Sequence, residues 1–168
     1  ILPVRTGFHT GVTGSRKDWY LLMRRIAILE LPCRGNEEVQ PILGNPAFDA
    51  ARVKPQDFDA RFPDGADVIL IPGSRETGKD LIHMQETGGV DNIRWHLSRV
   101  GVVMGICGAF QMMGEALHDP HRTNGPLVSS NGMGLLPIST HFGPKMLLCK
   151  TEADLLTGRT RTKVAGVE

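Results

Sequence analysis

An α/β domain built on a mostly parallel sheet with helices on both faces is the fold class this sequence predicts, on three observations. Short apolar runs rich in Ile, Leu and Val recur along the chain, as strands covered on both faces require. Stretches with apolar residues at steps of three and four lie between those runs. The two patterns alternate, which favours parallel pairing and places any site in the loops beyond the carboxyl ends of the strands.

The elements follow in chain order. Residues 1–23, "ILPVRTGFHTGVTGSRKDWYLLM", keep no period and are assigned as linker without function. "RIAILEL" from Arg25 is the first buried strand, "DVILI" (67–71) the second and "VGVVMGI" (100–106) the third. "ETGKDLIHMQ" (76–85) reads as a helix, and Val90, Ile93, Leu97 and Val100 form the apolar stripe of another, with Arg94 and Arg99 turned away. "GAFQMMGEAL" (108–117) predicts a third helix. From Pro120 to about Asn131 the chain is rich in Gly, Asn, Ser and Pro, and "GMGLLPIST" (132–140) predicts a shorter strand. No internal repeat is present.

At 168 residues with 40% hydrophobic content, one domain is expected. Lys plus Arg (19) and Asp plus Glu (18) leave a net charge of +1, which gives no reason to expect nucleic acid or an anionic membrane as partner. Cys33, Cys107 and Cys149 cannot all pair, and none stands in a CxxC or beside histidines at zinc-ligand spacing, so a reduced, cytoplasmic setting and no metal site are expected. No apolar run approaches the roughly 20 residues of a membrane span. The chain begins at Ile1 and stops at "KVAGVE", and reads as a fragment.

Two loops carry candidate chemistry. Gly73, four residues, then Gly78 and Lys79 imitate a phosphate loop, but that motif needs a hydroxyl after its lysine and here Asp80 stands there. Pro72 also removes an amide at the loop's mouth. A strand-to-helix turn with a solvated Lys79 is the better reading.

The second loop is "VVMGICGAFQMMG", where an apolar strand runs into Cys107 between Gly105 and Gly108 before a helical stretch. That is the layout of a nucleophile elbow, in which small neighbours permit a strained backbone. A helix N-terminus beneath the sulfur would favour the thiolate. The plain alternative is a small buried cysteine between two glycines. Taken together, the loops suggest acyl transfer: Cys107 attacks a carbonyl while the amides of Gly108 and Gly73 hold the oxyanion. Cys33 and Cys149 lack small neighbours and are assigned structural roles.

These segments resemble a known family. "GICGAFQMMGEALHDP" is similar to the nucleophile segment of class I (triad-type) glutamine amidotransferases, above all that of the cobyric acid synthases, with its G-[IV]-C-G-G-[YF]-Q-M-[LM]-G and a following D-P. "DVILIPGSRETGKDL" resembles the family's D-[VL]-[VI]-I-[LI]-P-G-S-K-x-T, "GMGLLPISTHFGPK" its G-L-G-L-L segment, and "RRIAILELPCRGN" the start of its glutaminase domain. The likeness covers residues 24–168, a partial amidotransferase domain of flavodoxin-like architecture, incomplete at the C-terminus.

The resemblance implies glutamine hydrolysis through a Cys107 thioester. The ammonia would serve ATP-dependent amidation of carboxylates on a corrin precursor, cobyrinic acid a,c-diamide, in cobalamin biosynthesis. It further implies that Gln111 contacts glutamine, with Ser74 a weaker contact. ATP and magnesium are expected in a synthetase domain outside this chain, and no cofactor within it. Ala109 replaces the usual glycine two residues after the cysteine and is expected to strain or displace the elbow. The family's catalytic histidine belongs to a G-T-Y-x-H-G segment, and none of His9, His83, His96, His118, His121 and His141 has that context.

His118 and His121, flanking Asp119 and Pro120, are read as a polar loop rather than metal ligands or a substitute base, and His83 and His96 as surface or core-edge residues. Little turnover is therefore expected. The rival readings are a catalytically silent amidotransferase-like module, the glutaminase that amidates a cell-wall lipid precursor, and a hydrolase or chaperone-like relative with a cysteine elbow.

Overall fold

The computed structural model describes residues 25–35, 37–57, 65–99, 101–145, 150–158 and 160–167. The expected linker, Val100 and Cys149 lie outside them. Four strands form the main sheet: β1 (Arg25–Leu29), β2 (Asp49–Val53), β3 (Val68–Ile71) and β4 (Val102–Gly105). Their order is β2-β1-β3-β4, and every neighbouring pair is parallel.

The apolar runs that predict β1 and β3 are continuous because both faces of the sheet are covered. Along a strand successive side chains point to opposite faces. Ala27, Leu29, Ile69 and Ile71 therefore share one core with Leu81, Met84, Val90, Ile93 and Met112, while Ile26, Ile28 and Leu70 pack on the other side with Val39, Ile42 and Leu43. The first face carries α2 (Thr77–Glu86), α3 (Gly89–Ser98) and the short α4 (Gly108–Met112); the second carries a 3₁₀ turn at Glu37–Val39 and α1 (Gln40–Leu43). Helices on both faces of a parallel sheet are what the alternating pattern predicts. β2, "DAARV", has no apolar run because it is a partly exposed edge strand, and the sequence reading missed it.

Three assignments need correction. β4, expected to be a buried strand, lies at the sheet edge with no buried residue and Met104 54% exposed. The helix expected over 108–117 stops at Met112, and Ala116–His118 is instead a strand, β5, paired antiparallel to β6 (Ser129–Asn131) and parallel to β7 (Ser139–His141). A longer helix would need the carbonyls of Met112, Met113 and Gly114 for its own amides. Here Met133 donates to Met112 O, Gly134 to Gly114 O, and Leu135 and Leu136 to Met113 O. The segment "GMGLL", expected to be strand, thus ends α4, and strand pairing resumes only at Ser139.

On α3, Val90 and Ile93 are buried as expected and Arg94 and Arg99 face outward, but Leu97 is 38% exposed and His96, read as surface or core-edge, is only 4% exposed. His96 Nε2 lies 3.1 Å from Val102 O, and a Cβ on Gly101 would fall 2.1 Å from that nitrogen, so the absent side chain makes the ring's room. β8 (Lys150–Thr157) and β9 (Thr160–Val167) form a separate antiparallel ribbon.

Candidate active site

The carboxyl ends of β1, β3 and β4 converge. The chain leaves β1 towards β2 on one side and returns to β3 on the other, which makes the gap between β1 and β3 the point where strand order reverses and ligands bind in open α/β sheets. There the two loops are stitched together: Arg34 and Ser74 form an antiparallel bridge, Gly35 N–H donates to Gly73 O at 2.9 Å, and Arg75 N–H donates to Cys33 O at 2.9 Å.

Cys107 follows β4 with φ 52° and ψ −115°. That is a positive-φ conformation outside the left-handed α basin, which a side-chain-bearing residue holds at a cost of about 1–3 kcal/mol, and such strain clusters at functional sites. The residue is exposed, as an elbow requires. α4, expected to lend its N-terminus to the sulfur, is only five residues long.

Next to Cys107, Gly108 has no room for a side chain: a Cβ would lie 2.8 Å from Thr77 Oγ1 and 2.9 Å from Ser74 O. Gly108 N–H meets no acceptor among the described residues. Ala109, expected to crowd the turn, instead buries its methyl completely in the core. The demand for glycine therefore falls on position 108 and not on 109.

Gly73 also adjoins Cys107, since a Cβ placed on it would stand 3.6 Å from Cys107 Cβ. Its N–H is not open, however: it donates to Glu38 Oε1 at 2.8 Å. Nothing in "GNEEVQ" signals that Glu38 has a partner 35 residues away. Ser74 Oγ is buried and has no hydrogen-bond partner among the described residues. Gln111 Oε1 accepts from Thr77 Oγ1 at 3.4 Å, while Thr77 N–H donates to Asn124 Oδ1 at 2.7 Å. Thr77, 1% exposed, therefore braces both Gly108 and Gln111, a second role the sequence reading did not assign.

The phosphate-loop reading does not fit these residues. Lys79 is 55% exposed and lies 3.8 Å from Glu76, whereas Asp80 is fully buried and accepts from Cys33 N–H at 2.9 Å. Burial, with the Asp80 and Glu76 carboxylates nearby, pushes the Cys33 thiol up from its ordinary value, which suits a structural role. His118 does not pair with His121; its ring stacks on His141 across β5 and β7, with centroids 4.5 Å apart. No group of three or more metal-ligating side chains occurs among the described residues. No described helix is long and apolar enough to cross a membrane. No side chain among the described residues hydrogen-bonds the Cys107 thiol.

A parallel sheet whose strand runs into a positive-φ cysteine and then a helix defines an α/β domain of the cysteine-elbow class. The chain belongs to the family of CobB/CobQ-like glutamine amidotransferase domains, whose model matches residues 44–168. It is 36% identical over 148 residues to a cobyric acid synthase of Azorhizobium caulinodans, covering 87% of this chain and 30% of that protein. With the cobyric acid synthase of Paracoccus denitrificans it shares 35% identity over 114 residues, 68% of this chain and 23% of the relative. For that of Vibrio parahaemolyticus the identity is 36% over 127 residues, 72% of this chain and 26% of the relative. The chain thus spans between 23% and 30% of the length of these relatives.

Proposed function

We propose that this domain is a glutaminase in which Cys107 takes the γ-glutamyl group of glutamine as a thioester. The observation that carries the reading is the strained, exposed Cys107 between a glycine-only position at 108 and the Gly73 loop. Cys107 Sγ bonds to the side-chain carbonyl carbon and the C–N bond breaks; the thiol's proton leaves with the ammonia. Water then adds to the thioester and releases glutamate and the free thiol. The amides of Gly108 and Gly73 would hold the oxyanion, each such donor being worth about 3 kcal/mol in the transition state. Gln111 and the unpartnered hydroxyl of Ser74 would bind the substrate.

By likeness to the cobyric acid synthases, the ammonia would amidate corrin-ring carboxylates in cobalamin biosynthesis. ATP and magnesium would be held by a synthetase portion elsewhere, since residues 73–80 do not fit a nucleotide. A second reading, a silent amidotransferase-like module, is favoured by the carboxylate on the Gly73 amide and the absence of a histidine on the Cys107 thiol among the described residues.

The test is peptide mass mapping after incubation with glutamine and an acid quench. One glutamyl group on the Cys107 peptide, discharged by hydroxylamine and lost in Cys107→Ala, supports the glutaminase; no adduct in the unmodified chain supports the silent module.

A further inference from the structure

Glu38 comes from the turn after β1, at the reversal point of the sheet, and its carboxylate is wedged between two glycines. A Cβ on Gly35 would strike Glu38 Oε2 at 2.7 Å, and one on Gly73 would lie 3.0 Å from Glu38 Oε1. Both backbones approach the carboxylate because neither carries a side chain, and the Gly35 N–H to Gly73 O bond fixes that approach. No cation pairs with Glu38 among the described residues, and the partner it has is the Gly73 N–H at 2.8 Å. Since a Gly73 Cβ would also lie 3.6 Å from Cys107 Cβ, carboxylate and nucleophile border one small volume.

We infer that Glu38 is an internal plug: its carboxylate occupies the anion position on the Gly73 amide, and glutamine must displace it before its own carbonyl oxygen can be held there. The inference rests on the glutaminase reading above. One N–H serves one anionic oxygen at good geometry, and two anions sharing it would repel. The plug is chemically the end product as well, because a glutamate side chain ends in the same γ-carboxylate that thioester hydrolysis releases. The Gly108 amide, with no acceptor among the described residues, stays open; the site is half closed from within. A carboxylate held there by a charge-assisted bond makes entry depend on a ligand that binds strongly enough to evict it.

The experiment compares the unmodified chain with Glu38→Ala, which empties the position, and Glu38→Gln, which keeps the shape and an acceptor but not the charge. Labelling of Cys107 by a glutamine-like diazo-ketone is followed as a function of reagent concentration, with iodoacetamide as a probe of thiol access alone. Glu38→Ala is expected to lower the half-saturating diazo-ketone concentration about tenfold, the scale of one charge-assisted hydrogen bond, with Glu38→Gln between. The iodoacetamide rate should change much less. In NMR spectra the Gly73 amide proton should move upfield in Glu38→Ala as its bond to a carboxylate is lost. Glutamine-protected labelling of the unmodified chain with no gain in either variant would overturn the plug alone, as would an unmoved Gly73 resonance. Failure of all three proteins to label would overturn the glutaminase reading and the plug with it.

Discussion

Cys107 carries the backbone strain of the candidate site. Its φ of 52° suits glycine, so Cys107→Gly should raise stability by about 1 kcal/mol in a denaturant titration while abolishing thiol chemistry. The opposite holds one residue on. In Gly108→Ala the new Cβ meets Thr77 and the Ser74 backbone below 3 Å, and the strain should cost about 1–3 kcal/mol, read from the urea midpoint, as well as displacing the turn.

The strained turn at these two positions was legible in the sequence, because glycines flank a cysteine at a strand end. Glu38 and Thr77 were not. Their importance comes from which loops the fold brings together, and neither has a local pattern that announces a distant partner. Ala109 was legible as a departure from the family pattern but misread, since its methyl turns into the core and not towards the turn.

Among the elements, β1, β3 and the start of α2 could be read directly, because a strand buried on both faces must be apolar throughout. The end of α4 could not. Its sequence continues to favour a helix through Leu117, and only the amides of residues 133–136, arriving from a remote segment, capture the carbonyls that would have extended it. The chain crossing at that point is tight: a Cβ on Gly132 would fall 2.1 Å from Gly114 O. Gly132→Ala should therefore force a backbone shift and destabilise by about 1–3 kcal/mol, seen as a lower unfolding midpoint. An unchanged midpoint would mean that this crossing does not hold α4 in place. His96 shows the same limit on sequence reading: a histidine at the edge of a stripe is polar by pattern, but Gly101 opens a pocket for it.

For the molecule as a whole, the covered sheet and the loops at its carboxyl ends put the candidate site at the reversal of strand order. The loop that caps α2 is held by Asp119, whose carboxylate accepts from Asn124 N–H at 2.6 Å and from Thr123 N–H at 2.9 Å. Burial acts to raise the Asp119 pKa, but the backbone bonds from Asn124 and Thr123 and the Thr123 hydroxyl outweigh it, and the group sits below its ordinary value. A lowered folded-state pKa means stability that is fully present above the unfolded carboxylate value of about 3.9 and is lost as pH falls through the folded value. Asp119→Asn should accordingly flatten the acid limb of the stability profile, and a variant with an unchanged acid limb would contradict the assignment.

Peptide mapping of the chain after exposure to a glutamine-like diazo-ketone, with excess glutamine or ATP as competitor, decides whether Cys107 is a glutaminase nucleophile. The expected result is an adduct on Cys107 alone, blocked by glutamine and untouched by ATP, with Cys33 spared because its thiol is pushed up by burial. An absent Cys107 adduct, equal labelling of Cys33 and Cys149, or protection by ATP instead of glutamine would contradict it.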